Sequence, residues 1–166
     1  MPRKSIKENK SEYQLAREKL GLTREQASDC MKDMVSAEKI EKIENGKLQV
    51  IDPEDIIQMA TCYKKPELLN YYCTHECAIG KQIMPYLESK EIAQITLETI
   101  NSLNQLNKEK ERFMEIIEDG KINEDELEDF KRIRANLEKI STSIMSFHLW
   151  LDKAILQGEI EQDARK

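Results

Sequence analysis

The segment Cys73-Thr74-His75-Glu76-Cys77 places two thiols and an imidazole within five residues, ligand types that zinc takes as thiolate and imidazole. A structural zinc site usually needs four protein ligands drawn from two such short motifs, and this chain holds one, with Cys62 available in principle as a fourth ligand. If residues 70 to 77 are helical, Cys73 and Cys77 share a face at i and i+4 while His75 points away. Buried thiols in a hinge are the favoured reading, and no metal is expected. The stretch from Asp119 to Glu126 matches the second half of a calcium loop, with Gly120 at the sharp turn and Glu126 as the bidentate position. The first half would rest on Glu115, Ile117 and Asp119, and an isoleucine cannot coordinate a hard cation. A helix-capping role for Asn123 and Glu126 accounts for the same residues. His75 and His148 are the only histidines, and His148 lies beside Trp150 where a packed or surface role is ordinary. The sequence has neither a phosphate-cradling glycine loop nor a nucleophile elbow, and its carboxylates fall on exposed helix faces. No catalytic site and no cofactor are expected.

Charge and composition set the frame for positioning any site. In 166 residues, 35% are charged and only five are glycine, which favours helices over strands. Residues 1 to 66 hold 13 Lys or Arg against 12 Asp or Glu, while the remainder holds 13 against 20, for a total of −6. The concentrated positive charge is Arg3, Lys4, Lys7 and Lys10, which reads either as a basic arm for a nucleic-acid backbone or as a solvated terminus. No run of eighteen apolar residues is present to span a membrane, and the basic start lacks an apolar signal core. A cytoplasmic location follows as the expectation, and with it thiols rather than disulfides at Cys30, Cys62, Cys73 and Cys77. Cys30 is expected to pack inward from a second helix, and Cys62 to end a fourth.

The clearest pattern runs from Leu15 to Lys47, with Asp52 to Tyr63 behind it. Leu15 and Leu20 fall on one face of a short helix that Gly21 ends. Thr23 and Gln26 form a capping box for a second helix. Ser36 N-caps a third, with Lys39 at the position where the box would need Glu or Gln. Ile40 and Ile43 turn its inner face to a core, and Asn45-Gly46 closes it with residues that tolerate left-handed backbone. The outer face expected for that helix carries Glu38, Glu41 and Glu44 against Lys39 and Lys42.

The phrase Ile43-Glu44-Asn45-Gly46-Lys47, preceded by Gly21-Leu22-Thr23 and Val35-Ser36, resembles the phage-repressor-like helix-turn-helix family (the lambda repressor and Cro, xenobiotic-response-element class). The resemblance covers roughly residues 11 to 70. Between Thr23 and Glu44 the chain is about two residues longer than the usual pattern, near Lys32-Asp33, and Met34 stands where a turn glycine is usual. The resemblance implies that the third helix enters the major groove of double-stranded DNA with Ala37, Glu38, Lys39, Glu41 and Lys42 facing it. It further implies that Arg24 reaches a phosphate, with Lys47 and the arm residues Arg3, Lys4 and Lys7 as additional contacts.

Beyond Gly80, residues 80–88 read as a connector containing Pro85. A long helix is predicted from about Lys90 to Glu118, its apolar steps interrupted at Lys110, and Asp119-Gly120 stops it. Asn123 and Glu126 open another helix that runs to about Gln157, with an inner stripe of Phe130, Ile133, Leu137, Ile140, Ile144, Phe147, Leu151 and Ala154. Two such helices joined by a short turn fold back as an antiparallel hairpin. Ile100, Ile116, Met145, Trp150 and Ile155 lie beside the stripe and call for a further partner, either the N-terminal module or a second copy of the chain. The expected architecture is therefore all-α. It comprises an arm (1–10), a five-helix helix-turn-helix module (11–79), the connector, a coiled-coil-like hairpin (89–158) and a tail (159–166). A dimeric DNA-binding transcription regulator is the function favoured. The alternative is a protein-interaction module whose helix-turn-helix has lost its groove contacts and whose hairpin recruits a partner, which suits the acidic outer face of the third helix.

Overall fold

A computed structural model of the chain describes residues 9–161. Among the described residues all regular structure is helical: α1 (Glu12–Lys19), α2 (Arg24–Cys30), α3 (Ala37–Glu44), α4 (Pro53–Cys62), α5 (Glu67–His75), α6 (Gly80–Ile83), α7 (Ile92–Lys108), α8 (Lys110–Ile117) and α9 (Leu127–Gln157). None of these helices is long and apolar enough to cross a membrane. The described chain divides into two compact units, residues 9–86 with 152–161, and residues 87–151. The arm residues Arg3, Lys4 and Lys7 lie outside the described residues.

The first unit packs α1 on α3, α2 on α3 and α4, and α4 on α5. Its core joins Tyr13, Ala16, Ala27, Met31, Val35, Ile40, Ile43, Ile56, Met59, Tyr63 and Leu68. Side-chain caps fix where α1 to α4 start. The Ser11 hydroxyl accepts the Gln14 N–H at 3.3 Å, and Thr23 and Gln26 exchange both bonds of their box at 3.1 and 2.9 Å. Ser36 accepts from Lys39 at 3.2 Å, and Asp52, ahead of Pro53 at the first helical position, accepts from Glu54 at 3.0 Å.

Leu15 and Leu20, expected on one face of α1, are 44% and 47% exposed, while Tyr13, Gln14, Ala16 and Arg17 are buried. Tyr13 and Ala16 face the core, and Arg17 beside them meets a buried carboxylate that offsets the usual penalty for a guanidinium indoors. At the end of α3 only Gly46 takes the left-handed backbone (φ 62°), whereas Asn45 sits at φ −98° and donates its side-chain amide to the Glu41 carbonyl. The two extra residues expected near Lys32-Asp33 form the α2–α3 turn, both at positive φ (53° and 60°), with the Asp33 N–H closing on the Ser28 carbonyl at 3.0 Å.

In the second unit the single helix expected from Lys90 to Glu118 is two helices, because the backbone at Glu109 (φ −96°, ψ 1°) leaves helical geometry between α7 and α8. The Glu109 carboxylate is buried there and accepts from Gln105, Arg132 and Asn136 at 3.0, 2.7 and 2.8 Å. Arg112 donates to Asp129 at 2.8 Å, so advancing along α8 retreats along α9. Between them, the Glu126 half of the expected capping box forms, its carboxylate accepting the Asn123 N–H at 2.9 Å. The expected apolar stripe of α9 is also corrected. Ile133, Leu151 and Ala154 are buried and Phe130 and Ile140 half-buried, but Leu137, Ile144 and Phe147 are exposed. Asn136, Ser143 and Ser146 occupy the buried positions instead, a polar strip made tolerable where Asn136 bonds Glu109. Ile116, expected to lie beside the stripe, is buried in the core.

Candidate functional site

The residues expected to face DNA sit on α2, α3 and the turn after α3, and their charges are tied together. Glu44, expected on the outer face with Glu38 and Glu41, is instead buried. Arg17 grips it from α1 with Nε to Oε1 at 2.6 Å and Nη2 to Oε2 at 2.9 Å, a two-pronged arrangement that matches guanidinium to carboxylate geometry. Arg24, at the start of α2, adds Nε to Oε2 at 2.9 Å. Burial alone would lower the Arg17 pKa, but its hydrogen bond to Glu44 and the neighbouring negative charge outweigh that and hold it above the usual value. Arg17 also donates to the Leu22 carbonyl, so one side chain orients α1, the α1–α2 turn and α3.

Lys39 is likewise engaged with the buried carboxylate of Asp55 on α4, at 2.6 and 2.8 Å. It therefore serves packing between α3 and α4 first. Farther out the pairs are solvated. Lys42 meets Glu38 at 2.8 Å one turn away, and Lys47 meets Glu41 at 2.8 Å. Hydrogen bonds from these lysines hold the Glu38 and Glu41 carboxyls below the usual range, and the bond to Glu38 raises Lys42. Exposed pairs of this kind are weak and exchange with other partners readily. Ala37 opens the helix between them, half-buried. The outer surface of α3 thus offers Glu38, Glu41, Lys42 and nearby Lys47 to a partner, with Arg24 one-third exposed beside them. Lys10, counted with the basic arm, pairs with Glu18 at 2.6 Å.

Cys73 and Cys77 are half-buried free thiols. Burial, together with Cys77, pushes the Cys73 thiol up, away from the thiolate that a metal takes. The Cys77 sulfur accepts the Gly80 N–H at 3.4 Å. Gly80 packs so closely that a Cβ there would stand 2.2 Å from the Cys73 carbonyl oxygen, so this elbow admits only glycine. His75 stacks on Tyr71 with ring centroids 4.3 Å apart, its Nδ1 lying 3.1 Å from the Tyr71 carbonyl. The imidazole is thus turned to the aromatic face, and among the described residues no group of three or more His, Cys, Asp or Glu is arranged to hold a metal.

The expectation of four thiols is corrected at the other two cysteines. Cys30, ending α2, and Cys62, ending α4, form a disulfide with Cα atoms 6.0 Å apart, within the span such a bond bridges. Cys30 is exposed rather than packed inward. The compartment argument that favoured thiols is blind to geometry, and the pairing becomes visible only when the ends of α2 and α4 are brought together. The buried role of Glu44, by contrast, had a sequence signal: it lies four residues beyond Ile40 and therefore on the same inner face.

Compared with protein-family models, with curated proteins and with solved structures, the chain gives no match.

Proposed function

We propose that this chain is a DNA-binding transcription regulator of the phage-repressor-like helix-turn-helix class, acting in the cytoplasm as a homodimer and without catalysis. The observation that carries the reading is the α2–α3 pair. Its inner side is fastened by Arg17 and Arg24 on Glu44, and its outer side is left to solvent with Glu38, Glu41 and Lys42. In this reading α3 enters the major groove from Ala37 onward, and Lys42 and Lys47 exchange weak carboxylate partners for phosphates. Arg24 keeps its hold on Glu44 while approaching the backbone at the start of α2. Lys39 contributes by positioning α3 against Asp55. The second unit, read as an antiparallel helical hairpin, joins two copies so that their reading helices fall one turn of DNA apart.

The test is binding to random duplex DNA across a salt series, followed by selection of bound sequences. Salt-sensitive binding that enriches a palindrome with half-sites about 10 bp apart is expected. Lys42→Ala and Lys47→Ala should each lower the salt slope by roughly one. Weak, unselective binding at low salt that neither substitution alters would overturn the reading. One observation favours a protein-interaction module in that event: Lys39, Lys42 and Lys47 are all matched to carboxylates of the chain itself.

A further inference from the structure

We infer that the Cys30–Cys62 disulfide is a thiol-exchange site at which a low-molecular-weight thiol adds to Cys30, independently of whether the chain binds DNA. The two sulfurs are unequal. Cys30 ends α2 on the surface, whereas Cys62 ends α4 half-buried beneath it. Access decides which sulfur of a disulfide an incoming thiolate attacks, and here it selects Cys30. The thiolate forms a bond to the Cys30 sulfur, the Cys30–Cys62 bond breaks, and the electron pair leaves on the Cys62 sulfur, which takes a proton from water. A second thiol attacking the mixed disulfide returns Cys30 as a thiol and carries the small-molecule disulfide away.

The surroundings slow the departure of Cys62 as a thiolate and hold it as a thiol once it has left. Its sulfur lies 3.9 Å from the Ala27 carbonyl oxygen, so the thiol released has an acceptor in place. Both cysteines stand in the last turn of a helix, where the partial negative charge of the carbonyl ends disfavours a thiolate. The released thiol is therefore kept protonated and recloses slowly, which prolongs the modified state. The other two cysteines compete poorly, since Cys73 is pushed up by burial and neither carries a bond that an incoming thiol could break. Because the bond spans 32 positions and encloses all of α3, opening it removes the covalent tie between α2 and α4 while leaving the α2–α3 turn in place.

The experiment treats the air-equilibrated full chain with reduced glutathione under nitrogen, quenches in acid, and maps adducts and alkylatable thiols by peptide mass. The expected result is two alkylatable cysteines before treatment, Cys73 and Cys77. Afterwards a single glutathione adduct is expected on the peptide holding Cys30, with Cys62 newly alkylatable. Four alkylatable cysteines before treatment would overturn the inference, as would an adduct settling first on Cys62. The single variants Cys62→Ser and Cys30→Ser give an independent readout. The Cys30 thiol left in the first should be alkylated by iodoacetamide at least tenfold faster than the Cys62 thiol left in the second. Equal or reversed rates would remove the basis for selection.

Discussion

With a fully buried Glu44 carboxylate held by Arg17 and Arg24, the interior of the first unit depends on opposite charges staying together. Removing one member leaves the other desolvated and unpaired, which typically costs about 3–5 kcal/mol, whereas replacing both members by apolar side chains of similar volume is often neutral. Glu44→Ala should therefore lower the thermal midpoint sharply by strandng Arg17, and the double variant Arg17→Met, Glu44→Met should recover most of the loss. Arg24, one-third exposed, returns to water in either case. Thermal denaturation of the three proteins checks this, and a double variant as unstable as Glu44→Ala would show that the pair is needed for more than mutual compensation. The inner positions Ile40 and Ile43 were legible from spacing because apolar residues declare their face. Arg17 was not, since a guanidinium reads as exposed until its partner is known.

Among the elements, the break between α7 and α8 is held by one carboxylate. Glu109 is buried, which alone would raise its pKa, yet hydrogen bonds from Arg132, Gln105 and Asn136 outweigh burial and leave it below the usual value. A carboxyl depressed in the folded state contributes stability above its unfolded pKa, near 4.3, and loses that contribution as pH falls through the folded value. Denaturant unfolding followed from neutral pH into acid should thus show stability of the second unit declining below about pH 4.5. Glu109→Gln should be less stable at neutral pH and decline less steeply, and a parallel decline would place the acid sensitivity elsewhere. Helix existence along this region was readable from three- and four-residue apolar steps. The break was not, because it depends on Arg132 and Asn136 arriving from α9. For the same reason the inner stripe of α9 shifted from Leu137, Ile144 and Phe147 to a strip containing Asn136, Ser143 and Ser146: a buried polar residue is favourable only beside its partner.

That shift has a consequence for the molecule as a whole. On α9, Leu137, Ile144 and Phe147 are 39%, 48% and 41% exposed and keep the seven- and three-residue spacing of a coiled-coil seam. On α7 and α8, Leu97, Ile100, Leu103, Met114 and Ile117 are also exposed. Scattered apolar residues on a surface need no explanation, but residues that recur along one helix face at a regular interval are the ordinary signature of a helical partner. Heptad spacing within one chain is self-complementary, so a second copy offers the matching ridge, and the homodimer proposed for DNA binding would use this face. Sedimentation equilibrium of the full chain should then fit a monomer–dimer exchange. Ile144→Glu and Phe147→Glu, which put a charge into the seam while leaving the buried Ile133 untouched, should weaken association at least tenfold and leave the helical signal intact. A chain that sediments as a monomer at every concentration, or charged variants that associate as well as the parent, would separate the two units functionally. The α2–α3 pair would then have to read DNA one module at a time.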